Sequence, residues 1–160
     1  MGSTKFFCTW DIGELIGPQQ VRVIDRCKSH FKLSQGMFVA PEPVEAALRA
    51  SPFVRMAFVL GAGHMSNVAA VVVPSHELVE ALNVEANGQS TPPCESLLDA
   101  CMHEAHRSRA RSLVLSSVHQ CCKAAQLKAW ETPQTLILEA EPFSDANGLL
   151  NPVGKLCRPL

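Results

Sequence analysis

The chain alternates between two hydrophobic periods. Phe6–Leu15 and Gln20–Asp25 read as short strands around the turn Ile16-Gly17-Pro18-Gln19, which predicts a β-hairpin. Pro41, followed by Glu42, Val44, Glu45, Ala46, Ala47 and Leu48, predicts a helix with proline in its first turn and acids at the positive end of its dipole; Ser51-Pro52 ends it. Phe53–Leu60 and Asn67–Val73 follow as strands joined at Gly61-Ala62-Gly63-His64. The second is almost wholly apolar, as expected of a central strand covered on both faces. A short helix is expected over His76–Leu82 and a loop over Asn87–Pro93. Leu98, Cys101, Met102 and Ala105 recur at helical spacing, and so do Val114, Ser117, Val118, Cys121, Cys122 and Ala125. Two amphipathic helices with a break near Arg107–Arg109 are therefore expected before a last strand, Thr135–Glu139. The tail from Phe143 reads as loop, with Gly148 and Gly154 supplying backbone freedom. Strands and helices mixed in this way around a small sheet make an α+β fold.

Composition narrows the class. A chain of 160 residues that is 47% hydrophobic and 18% charged can build a core and is not of disordered type. A net charge of -1 gives no case for binding nucleic acid. The seven cysteines include no Cys-x-x-Cys pair, and an odd, irregular set fits a reducing compartment better than a disulfide framework. No apolar run approaches the roughly 18 residues of a membrane span, and the first residues carry no secretory core. The expectation is a cytoplasmic protein, at most peripheral to a membrane, with no transmembrane segment.

Several constellations could carry chemistry. Asp11 and Arg26 come from neighbouring strands, where a carboxylate beside a guanidinium can accept from and donate to a pair of hydroxyls. The same pair could be a surface salt bridge worth about 0–1 kcal/mol. Lys32 precedes a glycine turn at Gly36, and Lys155 follows Gly154 near the carboxyl end; either could be a solvated lysine. Cys101-Met102-His103-Glu104-Ala105-His106 misses the His-Glu-x-x-His zinc pattern because Arg107 takes the second histidine's place, so no metal is expected. Cys121 and Cys122 fall on an apolar helix face and read as core thiols. Arg107, Arg109 and Arg111 read as a solvated helix junction or as a contact for phosphate groups.

Three segments in order carry a resemblance. Thr9-Trp10-Asp11 with Ile24-Asp25-Arg26-Cys27-Lys28, then Lys32-Leu33-Ser34-Gln35-Gly36 running on to Val39-Ala40-Pro41-Glu42, then Glu141-Pro142-Phe143 with Asn147-Gly148-Leu149-Leu150, are similar to the C-terminal part of the acyl-adenylate-forming (AMP-binding) superfamily. The likeness is greatest to long-chain fatty acyl-CoA synthetases and extends to the adenylation domains of carboxylic acid reductases, including the Ile-Gly-Pro before the second strand. It implies that residues 1–27 are the terminal hairpin of a large adenylation domain and 28–160 the C-terminal lid domain. It implies that Asp11 and Arg26 bind the adenylate ribose, that Lys28 is the hinge, that Lys32 and the Gly36 loop serve thioester formation, and that Lys155 serves adenylation. The full-length family uses ATP/AMP with Mg and CoA, and its phosphate loop and acyl pocket are expected in a large N-terminal partner domain, in cis or in trans. The chain alone is then expected to be inactive. A non-catalytic nucleotide- or partner-binding module is the reading from another class. Two departures stand out: Trp10 replaces the glycine of Thr-Gly-Asp, and Gln126 lies where relatives end a helix with glycine. If Gln126 is left-handed, the cost is of order 1 kcal/mol. A two-stranded hairpin is marginal in water, so residues 6–25 are expected to be loosely held or folded back on the rest.

Overall fold

The computed structural model describes residues 9, 11–26, 30–86 and 92–157. Lys28 and Trp10 lie outside them, and so does the side chain of Arg26.

The expected α+β fold is present. Its centre is a three-stranded sheet in the order β5 (Val54–Leu60), β6 (Ala69–Pro74), β7 (Thr135–Leu138). β5 and β6 are antiparallel; β6 and β7 are parallel. The apolar strand is thus the middle one, with Ala70, Val72 and Val73 buried. Helix α1 (Pro41–Arg49) opens with proline in its first turn, sets Glu42 at its positive end and Arg49 at its negative end, and buries Val44, Ala47 and Leu48. Glu45 is also buried there. Its Oε1 accepts the backbone N–H of Val59 at 2.9 Å, which ties α1 to β5. Helix α2 (Glu77–Ala86) extends past the expected Leu82.

The break between the next two helices falls at His103, not at Arg107–Arg109. α3 (Leu97–Met102) and α4 (Glu104–Ala124) meet there, and His103 Nδ1 caps α4 by accepting from Ala105 N at 3.3 Å. The three arginines lie inside a continuous helix. Its inward stripe is His106, Ala110, Val114, Val118 and Cys122, four residues apart. On α3 only Ala100 and Cys101 are buried; Leu98 and Met102 face outward. α4 ends in a Schellman motif. Gln126 N donates to Lys123 O at 3.1 Å and Leu127 N to Cys122 O at 3.0 Å, with Gln126 left-handed at φ 56°. The glycine-like conformation foreseen at Gln126 is therefore real.

Leu48, Val59, Val72, Leu78, Val114 and Leu136 belong to one contiguous core between sheet and helices. A 3-10 turn at Ala129–Glu131 leads into β7. Two small sheets stand apart from the main one. β1 (Asp11–Gly17) and β2 (Gln20–Arg26) form the expected N-terminal hairpin; its first residues, 6–8, fall outside the described set. β3 (Phe31–Lys32) and β4 (Phe38–Val39) form a second hairpin that the sequence reading treated as loop.

Candidate functional site

The lysine loop between β3 and β4 is built by burial on either side of an exposed turn. Leu33 and Val39 go into the core, while Lys32 lies in register with Phe38. Leu33 N donates to Met37 O at 2.8 Å and Gly36 N to Leu33 O at 2.9 Å, and Gly36 adopts φ 84°, which favours glycine. Ser34 N reaches Met65 O at 2.9 Å and Gln35 Nε2 reaches Ser66 O at 3.0 Å, so the turn is tied to the loop between β5 and β6. The ring of Phe31 fills the space that a Cβ on Gly61 would occupy. Lys32 remains exposed, its Nζ 5.7 Å from the centroid of Phe38. Lys32 and Gly36, named separately in the sequence, thus form one unit; a Cβ at Gly36 would stand 3.7 Å from Lys32 Cε.

The second lysine loop is organised by asparagines. Asn147 Oδ1 accepts from Ser144 N at 2.9 Å, and its Nδ2 donates to Pro142 O at 3.0 Å. Buried Phe143 anchors this turn. Further on, Asn151 Oδ1 accepts from both Val153 N at 3.1 Å and Lys155 N at 2.8 Å, and Asn151 N donates to Lys155 O at 2.8 Å. Leu150 bridges to Leu156, closing Asn151–Lys155 into a tight turn with Gly154 at φ 76°. The tail is therefore a folded turn and not simply loop. Phe143, Leu149 and Leu156 shelter an apolar hollow of about 210 Å³ against Phe58, Leu60 and Val71 of the sheet. Lys155 itself is exposed, held by its backbone and drawn into no buried contact among the described residues.

On the N-terminal hairpin, Asp11 and Arg26 are cross-strand partners at the Cα level, which agrees with their expected pairing. An ion pair within the hairpin joins Arg22 to Glu14, both largely exposed. Such a pair contributes about 0–1 kcal/mol. Lys28 lies outside the described residues. The arginines near α4's start divide: Arg107 and Arg111 are exposed and Arg109 is half-buried. Burial pushes the Cys101 and Cys122 thiols up to about 11, so both stay protonated at neutral pH, as core thiols do.

Sequence reasoning passed over Glu45 because an acid in a helix's first turns suits the dipole whether exposed or buried. Its position among Val44, Ala47 and Leu48 was the available sign that it points inward.

The comparisons with known proteins agree with this geometry. Residues 29–126 match the family model described as AMP-binding enzyme C-terminal domain. A carboxylic acid reductase of Mycobacterium marinum is 32% identical over 154 residues, spanning 96% of this chain and 11% of that protein. Fatty acyl-CoA synthetase A of Dictyostelium discoideum is 36% identical over 157 residues, spanning 96% of this chain and 22% of that one. The adenylation domain of a carboxylate reductase from Mycobacterium chelonae superposes with a TM-score of 0.74 at 33% identity, covering 94% of this chain and 20% of that chain. The corresponding domain of carboxylic acid reductase from Segniliparus rugosus, solved with AMP and a co-purified carboxylic acid, gives 0.73 at 31% identity, with the same coverage. The chain thus spans roughly a tenth to a fifth of the length of the curated relatives it matches. No helix among the described residues is long and apolar enough to cross a membrane. With a family model matched over residues 29–126, the chain belongs to the family of AMP-binding enzyme C-terminal domains.

Proposed function

We propose that this chain is the C-terminal lid of an acyl-adenylate-forming ligase that activates a fatty acid with ATP and passes the acyl group to CoA. The observation that carries the reading is the exposed Lys155 on a turn whose backbone Asn151 fixes at 2.8 Å from either side. Attack of a carboxylate on the α-phosphate of ATP brings two anions together. A cation placed between them offsets the repulsion as the pentavalent charge develops. At about 4 Å and an effective dielectric near 20, one such charge contributes about 4 kcal/mol before desolvation. A stiff turn delivers the ammonium group at little cost in ordering, while the side chain itself stays free to enter a neighbouring cleft.

The remaining roles follow the same division. Asp11 and Arg26 would hold the ribose hydroxyls from adjacent strands. Lys28 would be the hinge between residues 1–27, the last hairpin of the large domain, and residues 28–160, the lid. The start of the family match at residue 29 supports that boundary. Lys32 and Gly36 would face the thiol in the second half-reaction, where the left-handed glycine lets backbone come close. The large N-terminal domain, in cis or in trans, would supply the ATP phosphate loop and the acyl pocket. Magnesium would enter with ATP, and no residue of this chain is assigned to it.

The test is complementation. The chain is mixed with the isolated large domain of an acyl-CoA synthetase, and acyl-CoA is measured with Mg-ATP, fatty acid and CoA. Activity is expected only in the mixture. Lys155→Ala should lower acyl-adenylate formation by at least 100-fold while leaving transfer from preformed acyl-adenylate nearly intact. Equal loss of both half-reactions, or none, would remove Lys155 from its role. A second reading, an adenylation segment that loads a carrier domain, draws support from the similarity to the carboxylic acid reductases. Replacing CoA by a phosphopantetheinylated carrier domain in the same mixture separates the two.

A further inference from the structure

Away from both lysine loops, between α3 and the start of α4, three side chains of different chemistry converge. The Cys94 thiol, an Asp99 carboxylate oxygen and a His106 ring nitrogen all lie within 4.8 Å of one another. Cys94 and His106 are each 3% exposed, while the carboxylate of Asp99 lies partly open to a cleft of about 590 Å³. His106 Nε2 is buried with no hydrogen-bond partner among the described residues; Asp99 Oδ2, at 3.5 Å, is close enough for charge attraction but too poorly placed to accept a hydrogen bond. An orphaned imidazole nitrogen in such a place is destabilising unless something occupies its lone pair or takes its proton.

The three groups are held where they are by independent supports. Asn83 grips Cys94 from both sides, its Oδ1 accepting from Cys94 N at 2.8 Å and its Nδ2 donating to Cys94 O at 2.9 Å. Asp99 sits in a reciprocal cap: its N–H donates to Ser96 Oγ at 3.1 Å, and its Oδ2 accepts from Glu95 N at 3.2 Å. His106 occupies the first turn of α4, which His103 caps. The cysteine's own bond is weak, a thiol donating to Ser96 O at 3.5 Å.

We infer that Cys94, Asp99 and His106 form a binding site for a single zinc-class divalent ion that clips the Cys94–Asp99 segment to the start of α4. A thiolate, an imidazole and a carboxylate together suit zinc and its cobalt surrogate; the sulfur argues against magnesium or calcium. Around a tetrahedral zinc with bonds of about 2.0–2.3 Å, ligand atoms stand about 3.3–3.8 Å apart. The His106–Asp99 separation of 3.5 Å already has that value, and small rotations of the side chains close the rest. On binding, the Cys94 thiol releases its proton to solvent and its sulfur exchanges the Ser96 contact for the metal. His106 coordinates through Nε2, which resolves the orphan. The fourth position faces the cleft and takes a water. The stretch Cys101–His106, from which no metal is expected on sequence, shares only His106 with this site; the other two side chains lie upstream of Cys101.

Cobalt(II) titration of the purified, reduced chain tests the site. One equivalent should produce visible d–d bands of tetrahedral intensity with a near-ultraviolet thiolate-to-cobalt band, both abolished by zinc. One equivalent of zinc should also raise the melting temperature. Cys94→Ser should remove the thiolate band, and Asp99→Asn, at a half-buried position with little folding risk, should weaken cobalt binding at least 10-fold. Cys157→Ser, which alters the exposed thiol, should change neither. Circular dichroism confirms that each variant folds. Absence of the bands in the parent chain, their persistence in Cys94→Ser and Asp99→Asn, or their loss in Cys157→Ser would overturn the proposal and leave a buried ion pair only.

Discussion

Two antiparallel strand pairs of nearly equal length meet opposite fates in this molecule. β5 and β6 bury Ala57, Val59, Ala70 and Val72 in the core, with α1 packed on β5. In β1 and β2 the comparable residues lie open: Leu15 is 77% exposed and Val23 64%. Both pairs are rich in β-branched and aliphatic residues, so strand propensity does not separate them. What separates them is cover. A strand gains its stability from what packs on its faces, and the N-terminal hairpin has apolar faces without the helices that shield the central sheet. Under the proposed function, that open face would meet the large domain.

The comparison can be broken from either side. Leu48→Ala, which removes a fully buried α1 side chain from the core, should cost about 2–5 kcal/mol in a urea melt. A loss below 1 kcal/mol would mean that the central sheet is not the stabilising unit. Gln126→Gly should act in the other direction. It relieves the left-handed residue at the end of α4 and should stabilise by about 1 kcal/mol, seen as a higher urea midpoint at an unchanged slope. Val23→Ser in the hairpin should have the smallest effect, within about 0.5 kcal/mol for the chain alone. In the mixture with a large domain the same change should weaken association. Equal affinity there would show that the open face of β2 is not the docking surface.

Much of this architecture was legible in the order of residues, and the misses share a cause. The all-apolar run at Asn67–Val73 announced a central strand, and Pro41 with its following acids announced α1. The helix junction was misplaced because α4's inward stripe starts with His106 and Ala110, a polar and a small residue that leave no visible apolar rhythm. The charged residues of that stretch then look like a break. The hairpin at Phe31–Val39 escaped because two-residue strands carry too few positions for alternation to show. At the candidate site the glycines did speak clearly: Gly36, read as a turn position, and Gly154, read as a source of backbone freedom, both have positive φ. The Cys94–Asp99–His106 cluster was hidden because its members are spaced across a loop and two helices, and only the fold brings them together.

The ring of Phe31 seated on Gly61 has a mechanical meaning. The residue just before Lys32 is wedged against the end of the central sheet, with no room for the two to slide past each other. Lys32 is accordingly a spoke fastened to a wheel: under the proposed function its backbone would turn with the central sheet, and its place opposite the thiol would follow from rotation of the whole.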